Sequence, residues 1–71
     1  MSTRSLVGKT GRVTGRVAPN TVGEVIVSIR GGSEAYFAYP YDGQEEIQRG
    51  AQVLVVDAAD PRTLYVTAFS P

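Results

Sequence analysis

Ile47-Gln48-Arg49-Gly50-Ala51-Gln52-Val53-Leu54-Val55-Val56-Asp57 is the stretch whose reading decides the fold. It joins an isoleucine, a corner closed by glycine and a run of β-branched residues too short for a helix. That is the pattern of a buried strand entered through a tight turn. The segments on either side alternate apolar and polar residues with period two, and such segments find a place by pairing with a central strand of this kind.

Working outward, the spacing predicts a first strand over residues 10–17, with Gly11, Val13, Gly15 and Val17 on the inward face and Arg12, Thr14 and Arg16 outward. Two inward glycines mark a bend or the close approach of another backbone, as at the corners of small barrels. Residues 18–22 break the pattern around Pro19, which has no amide hydrogen for a ladder. A second strand follows over 23–30, with Val25, Val27 and Ile29 inward and Ile26 the one apolar residue outward. Gly31-Gly32 suits a two-residue type I′ hairpin. The third strand, 33–41, carries Tyr36 with Ala38 on one face and Phe37 with Tyr39 on the other, so one aromatic pair must point away from the core. Residues 44–49 are long enough for one helical turn at most. The strand of the opening stretch runs over 52–57, 58–62 is a loop, and a last strand occupies 63–68.

Five short strands, regular turn signals and no real helix predict an all-β, five-stranded OB-like Greek-key barrel, with an SH3-like barrel as the other choice. A long first strand bent at Gly11 and Gly15 favours the OB arrangement, because it can pair on two sides. The expected organisation is a loose leader over 1–9, which tucks the Leu6-Val7 pair under the core, and one barrel domain over 10–69. The expected core is Val13, Val25, Val27, Ile29, Ala38, Ile47, Val53, Val55, Leu64 and Val66.

Composition excludes most chemistry. The 71 residues contain no cysteine and no histidine. Thiolate nucleophiles, thiolate metal sites and the usual acid-base group near neutral pH are therefore missing. Seven basic and seven acidic residues cancel, so the cationic footprint of a nucleic-acid binder is not visible. No apolar run approaches the roughly 20 residues of a membrane span, and the chain reads as soluble.

The order of these signals resembles the C-terminal soluble domain of NfeD-like membrane proteins. The residues that carry the resemblance are Gly11-Arg12-Val13, Pro19, Gly23-Glu24-Val25, Ala38, the corner Ile47-Gln48-Arg49-Gly50, Val53-Leu54-Val55 and Leu64-Tyr65-Val66. The likeness covers Val7 to Thr67 and departs from the family in the loop after Pro19, where three residues precede Gly23. It implies a non-catalytic interaction module with an OB fold. In the full-length protein the domain would be held behind a membrane anchor that this chain lacks, on the cytoplasmic face. The partner it implies is a stomatin- or flotillin-type membrane scaffold protein.

The outward set Ile26, Phe37, Tyr39, Leu54, Val56 and Tyr65 is the candidate protein-interaction patch. Strands of period two should not place so many large apolar groups on a solvated face, and aromatic residues carry much of the binding energy at interfaces. The bland alternative is that the leader or loops cover them. Self-association is open. Phe37 and Tyr39 with Arg12, Arg16 and Arg30 could instead form a stacking platform for a single nucleic-acid strand, which zero net charge and a single lysine, Lys9, argue against.

Catalysis is not expected. Glu45-Glu46 and Asp57 with Asp60 lie in polar loops where solvated charge is the ordinary state, and Ser28, Ser33 and Ser70 have no histidine to activate them. Asp57 and Asp60 could hold calcium only weakly. Gly31-Gly32 and Gly8-Lys9-Thr10-Gly11 precede no helix and so offer no helix-terminal phosphate site. No cofactor and no metal are expected.

Overall fold

A computed structural model describes residues 3–69. Five strands follow a short 3₁₀ turn at Thr3–Leu6: β1 Thr10–Gly15, β2 Gly23–Ile29, β3 Gly32–Pro40, β4 Gln52–Asp60 and β5 Thr63–Ala68. They close into a barrel in the order β1-β2-β3-β5-β4. All neighbours are antiparallel except β3 and β5, which run parallel with Ala38 opposite Leu64 and Tyr39 opposite Tyr65. This is the Greek-key order of an OB barrel.

Strand β1 is the hinge of the closure. It pairs with β2 from Gly11 to Gly15 and with β4 from Thr10 to Arg12, with a bulge between Val13 and Gly15 where it bends. The opening stretch of the sequence does its work just beyond this point. Val17 and Ile47 exchange backbone bonds of 3.0 and 2.7 Å, and Val13 accepts from the Gly50 amide and donates to the Ala51 carbonyl at 2.8 and 2.9 Å. The corner needs a positive φ of 92° at Gly50, which glycine adopts without steric cost.

Two other glycines are required by close approach. A Cβ on Gly11 would stand 2.7 Å from the Ile26 carbonyl oxygen, and one on Gly23 would stand 2.6 Å from Val17 Cγ2 and 2.7 Å from the Arg16 carbonyl oxygen. Gly15, by contrast, would meet Glu24 only at ordinary contact distance. Its part in the bend is therefore the bulge and not a tight crossing.

The inward faces fill the barrel with small and branched side chains. Val13, Val17, Val25, Val27, Ala38, Ile47, Val53, Val55, Leu64 and Val66 are buried together with Leu6. Ile29, expected in the core, is only partly buried because it lies at the end of β2 beside the hairpin. Ala38 is buried with Phe37 and Tyr39 exposed, so the register of β3 is the one the alternation implies.

Four local expectations are corrected. The β2–β3 hairpin loop is Arg30-Gly31, with Ile29 opposite Gly32, and only Gly31 has positive φ. That is the pattern of a type II turn and not of type I′. Strand β4 continues to Asp60, because bulges between Val55 and Asp57 and between Ala58 and Asp60 let it follow β5 around the barrel. Residues 44–49 form no helical turn. Their groups are used elsewhere, with the Ile47 backbone on Val17 and the Glu45 carboxylate on β5, at 2.9 Å from Thr67 Oγ1 and 3.3 Å from the Ala68 amide. Of the leader expected over 1–9, residues 1–2 lie outside the described residues, and the part from Leu6 to Lys9 is held against β4 and not loose. The Gly8 amide donates to the Val55 carbonyl at 2.8 Å, the Val55 amide donates to Lys9 at 2.9 Å, and Leu6 is buried while Val7 is exposed.

Gly23→Ala forces Val17 or the backbone at Arg16 to move and lowers the unfolding free energy by about 1–3 kcal/mol. Leu6→Ala leaves a cavity under the barrel and costs about 2–5 kcal/mol. Urea unfolding of both variants, with midpoint and slope compared with the parent, checks these values. Parent-like stability in Leu6→Ala would show that the N-terminal segment contributes nothing to the core.

Candidate interaction surface

The outer face carries the apolar residues for which the barrel interior has no room. Phe37 and Tyr39 lie two apart on β3, so both point outward, and they are 49% and 37% exposed. Tyr39 stands directly opposite Tyr65 on the parallel neighbour β5, with ring centroids 6.4 Å apart and planes tilted by 41°. This is a favourable aromatic arrangement. On the other side of β5, Val55 faces Val66 and Asp57 faces Tyr65, so Val56 is the extra residue of the bulge next to the Tyr65 ring position. Leu54 faces Thr67, one outward step along β5 from Tyr65. Val56, Leu54 and Tyr65 are each half-buried.

Phe37, Tyr39, Tyr65, Val56 and Leu54 therefore form one band across β3, β5 and β4. Ile26, 38% exposed, lies on β2 opposite Arg12 and Ala35 and reaches the band only diagonally through Phe37. Among the described residues no loop or leader segment makes a backbone bond across these side chains. The N-terminal segment instead runs along β4 at Gly8 and Lys9. Tyr41, which sequence reasoning did not single out, continues the row of β3 one step past its end and is 59% exposed. The signal for it was present: period two carries on through Pro40, where the Tyr41 amide still bonds the Val66 carbonyl at 2.8 Å.

The cations proposed for a stacking platform do not assemble. Arg30 sits in the β2–β3 turn, Arg16 lies past the far end of β1 in an ion pair with Glu46, and Arg12 is on the outer face of β1 opposite Ile26. The carboxylates offered for catalysis or calcium have local work. Asp57 accepts from the Ala58 amide and Asp60 from the Arg62 amide, both at 2.8 Å. Glu45 binds the end of β5 and Glu46 binds Arg16. Among the described residues no three His, Cys, Asp or Glu side chains are placed to share a metal ion. Ser28 and Ser33 face one another across the hairpin, and Ser70 lies outside the described residues.

Among the described residues one side chain has a perturbed titration. The Tyr36 phenol is pushed above the ordinary tyrosine range, first by lost hydration and then by donating to Glu34 Oε2 at 3.2 Å beside that carboxylate's charge, while Arg62 pulls in the opposite direction. A raised phenol favours the protonated form in the folded state. The stability it adds is present below the ordinary tyrosine pKa and is lost as pH rises through the folded-state value. Glu34→Gln removes the neighbouring charge and brings the Tyr36 titration down toward the ordinary range. Phenolate absorbance, taken against a Tyr36→Phe baseline, reads the change, and an unmoved curve would remove Glu34 as a cause.

The geometry defines a closed five-stranded OB-type barrel with an aromatic band on its outer face. Comparison with known proteins makes the assignment specific: residues 10–67 match the NfeD C-terminal domain, and the chain belongs to that family. The solution structure of the soluble domain of the NfeD protein YuaF from Bacillus subtilis is similar to this chain at a TM-score of 0.81 and 35% sequence identity. The match covers 96% of this chain and 79% of that one. No curated protein sequence matches the chain. Among the described residues no helix is long and apolar enough to cross a membrane.

Proposed function

We propose that this domain is a non-catalytic protein-protein interaction module that docks through the band of Phe37, Tyr39 and Tyr65, with Leu54 and Val56 at one flank and Ile26 at the other. The observation that carries the reading is the Tyr39–Tyr65 pair at 6.4 Å, standing on the outer face of a closed barrel beside an exposed Phe37. Rigid aromatic side chains held on paired strands bind at low entropic cost, because few rotamers are lost when the partner arrives. A closed barrel also has no free strand edge to offer, so side chains and not backbone ladders make the contact.

Membership of the NfeD family supports the rest of the reading. The full-length protein holds this domain behind a membrane anchor on the cytoplasmic face, and the partner is a stomatin- or flotillin-type scaffold protein of the same membrane.

The test is direct binding of the domain to purified stomatin-like and flotillin-like scaffold proteins. Phe37→Ser and Tyr39→Ser should each weaken binding by about tenfold or more, since truncating an interface aromatic commonly costs about 2 kcal/mol. Both positions are exposed, so the barrel itself should keep its urea midpoint. Equal binding by parent and variants would remove the band as the docking surface. Binding of an oligonucleotide that washes off with salt would replace the protein-partner reading with a nucleic-acid one.

A further inference from the structure

The end of the barrel where β2 turns into β3 holds an open cleft of about 890 Å³, and neither the aromatic band nor the proposed docking uses it. Its walls come from three separate places in the chain: the N-terminal segment with Ser5, Leu6 and Lys9, the β2–β3 hairpin with Arg30, and the β4–β5 turn with Pro61 and Arg62. Leu6, Ile29, Ala35 and Pro61 supply apolar surface, while Lys9, Arg30 and Arg62 bring three cations. Among the described residues Glu34 is the one carboxylate in the lining, and it accepts from the Tyr36 phenol. Asp60, next to the turn, has Oδ1 on the Arg62 amide. Among the described residues none of the three cationic side chains is in an ion pair, whereas Arg16 at the far end of the barrel is paired with Glu46.

We propose that this cleft binds a phosphate monoester carried on an apolar body. Two guanidinium forks and an ammonium suit a dianion, because each fork can hold two phosphate oxygens in parallel and the ammonium adds a point charge. The apolar residues set beside the cations take up the ester group, and the Tyr36 ring stands at the same wall. The fold brings the site together from both ends of the chain, since the Phe37 amide bonds the Arg62 carbonyl at 2.9 Å and so fixes the β4–β5 turn against β3. The same chemistry could be presented by a soluble ester or by a lipid headgroup.

Two arms separate these sources. In the first, phenyl phosphate is titrated into the isotopically labelled 71-residue chain and backbone amide shifts are followed, with inorganic phosphate alongside. In the second, the chain is sedimented with phosphatidylcholine vesicles with and without phosphatidate. The expected result is a saturable shift confined to Lys9, Arg30, Gly31, Ala35 and Arg62, tighter for phenyl phosphate than for inorganic phosphate. Arg30→Gln with Arg62→Gln should weaken it roughly tenfold or more, and Lys9→Gln should weaken it less. All three positions are exposed, and the parent urea midpoint confirms that the variants fold. Binding of phenyl phosphate without phosphatidate-dependent sedimentation assigns a soluble ester, and phosphatidate-dependent sedimentation assigns a lipid headgroup. The proposal is overturned if neither arm shows binding, if the double variant binds as the parent does, or if the shifts scatter over cations outside the cleft such as Arg12 and Arg49.

Discussion

Closure of this barrel rests on β1 pairing with two strands at once, and on the removal of side chains where the backbones come closest. Gly11 lies against the Ile26 carbonyl and Gly23 against Val17 and the Arg16 carbonyl, at separations that no Cβ could share. Once those two crossings are made, β4 can join β1, the Ile47 corner can bond Val17 and Val13, and β3 can meet β5 in parallel. Every strand then has two neighbours, which removes the free edges that a chain of this size could not otherwise protect.

The same closure decides the character of the two faces. A barrel of five strands has an interior wide enough only for valines, alanine, leucine and isoleucine packed across from one another. Larger residues on the alternate positions have nowhere to go but out. The aromatic band is thus a direct product of period two on a small barrel, and what distinguishes it is contiguity across three strands. Singly exposed apolar residues are ordinary on soluble proteins. A row on β3 aligned with Tyr65 across the parallel ladder and with the bulged residue Val56 beyond it is less so.

Several polar groups at the end of the barrel away from the β2–β3 hairpin are spent on architecture. Glu45 ties the segment after β3 to the end of β5, Glu46 holds Arg16, and Thr14 donates to Glu24 at 2.8 Å beside the β1 bulge. The bonds of Glu45 and Glu46 hold residues 44–49 without a helical turn. At the opposite end the three cations of the cleft have no such partners among the described residues, and the cleft is assembled by tertiary contact alone.

Much of this was legible in the chain. Alternation in Gly23-Glu24-Val25-Ile26-Val27-Ser28-Ile29 and in Leu64-Tyr65-Val66 determined which residues face inward, because a strand turns each successive side chain to the other face whatever its neighbours. It also put Phe37 and Tyr39 outside once Ala38 was taken as core. Burial of Leu6 was hinted by the lone Leu6-Val7 pair, but the hydrogen bonds of Gly8 and Lys9 to Val55 have no local signature. The continuation of β4 through Ala58-Ala59-Asp60 was hidden for a related reason, since its small and acidic residues read as loop and are drawn into the ladder only by bulges against β5. The sequence by itself determined the faces of the strands, the class of the fold and the absence of the usual catalytic groups. Only the tertiary structure decided which outward residues are neighbours and that Lys9, Arg30 and Arg62 share one cleft, because adjacency across a barrel depends on pairing register and on the turns that set it, and neither is written in any one segment.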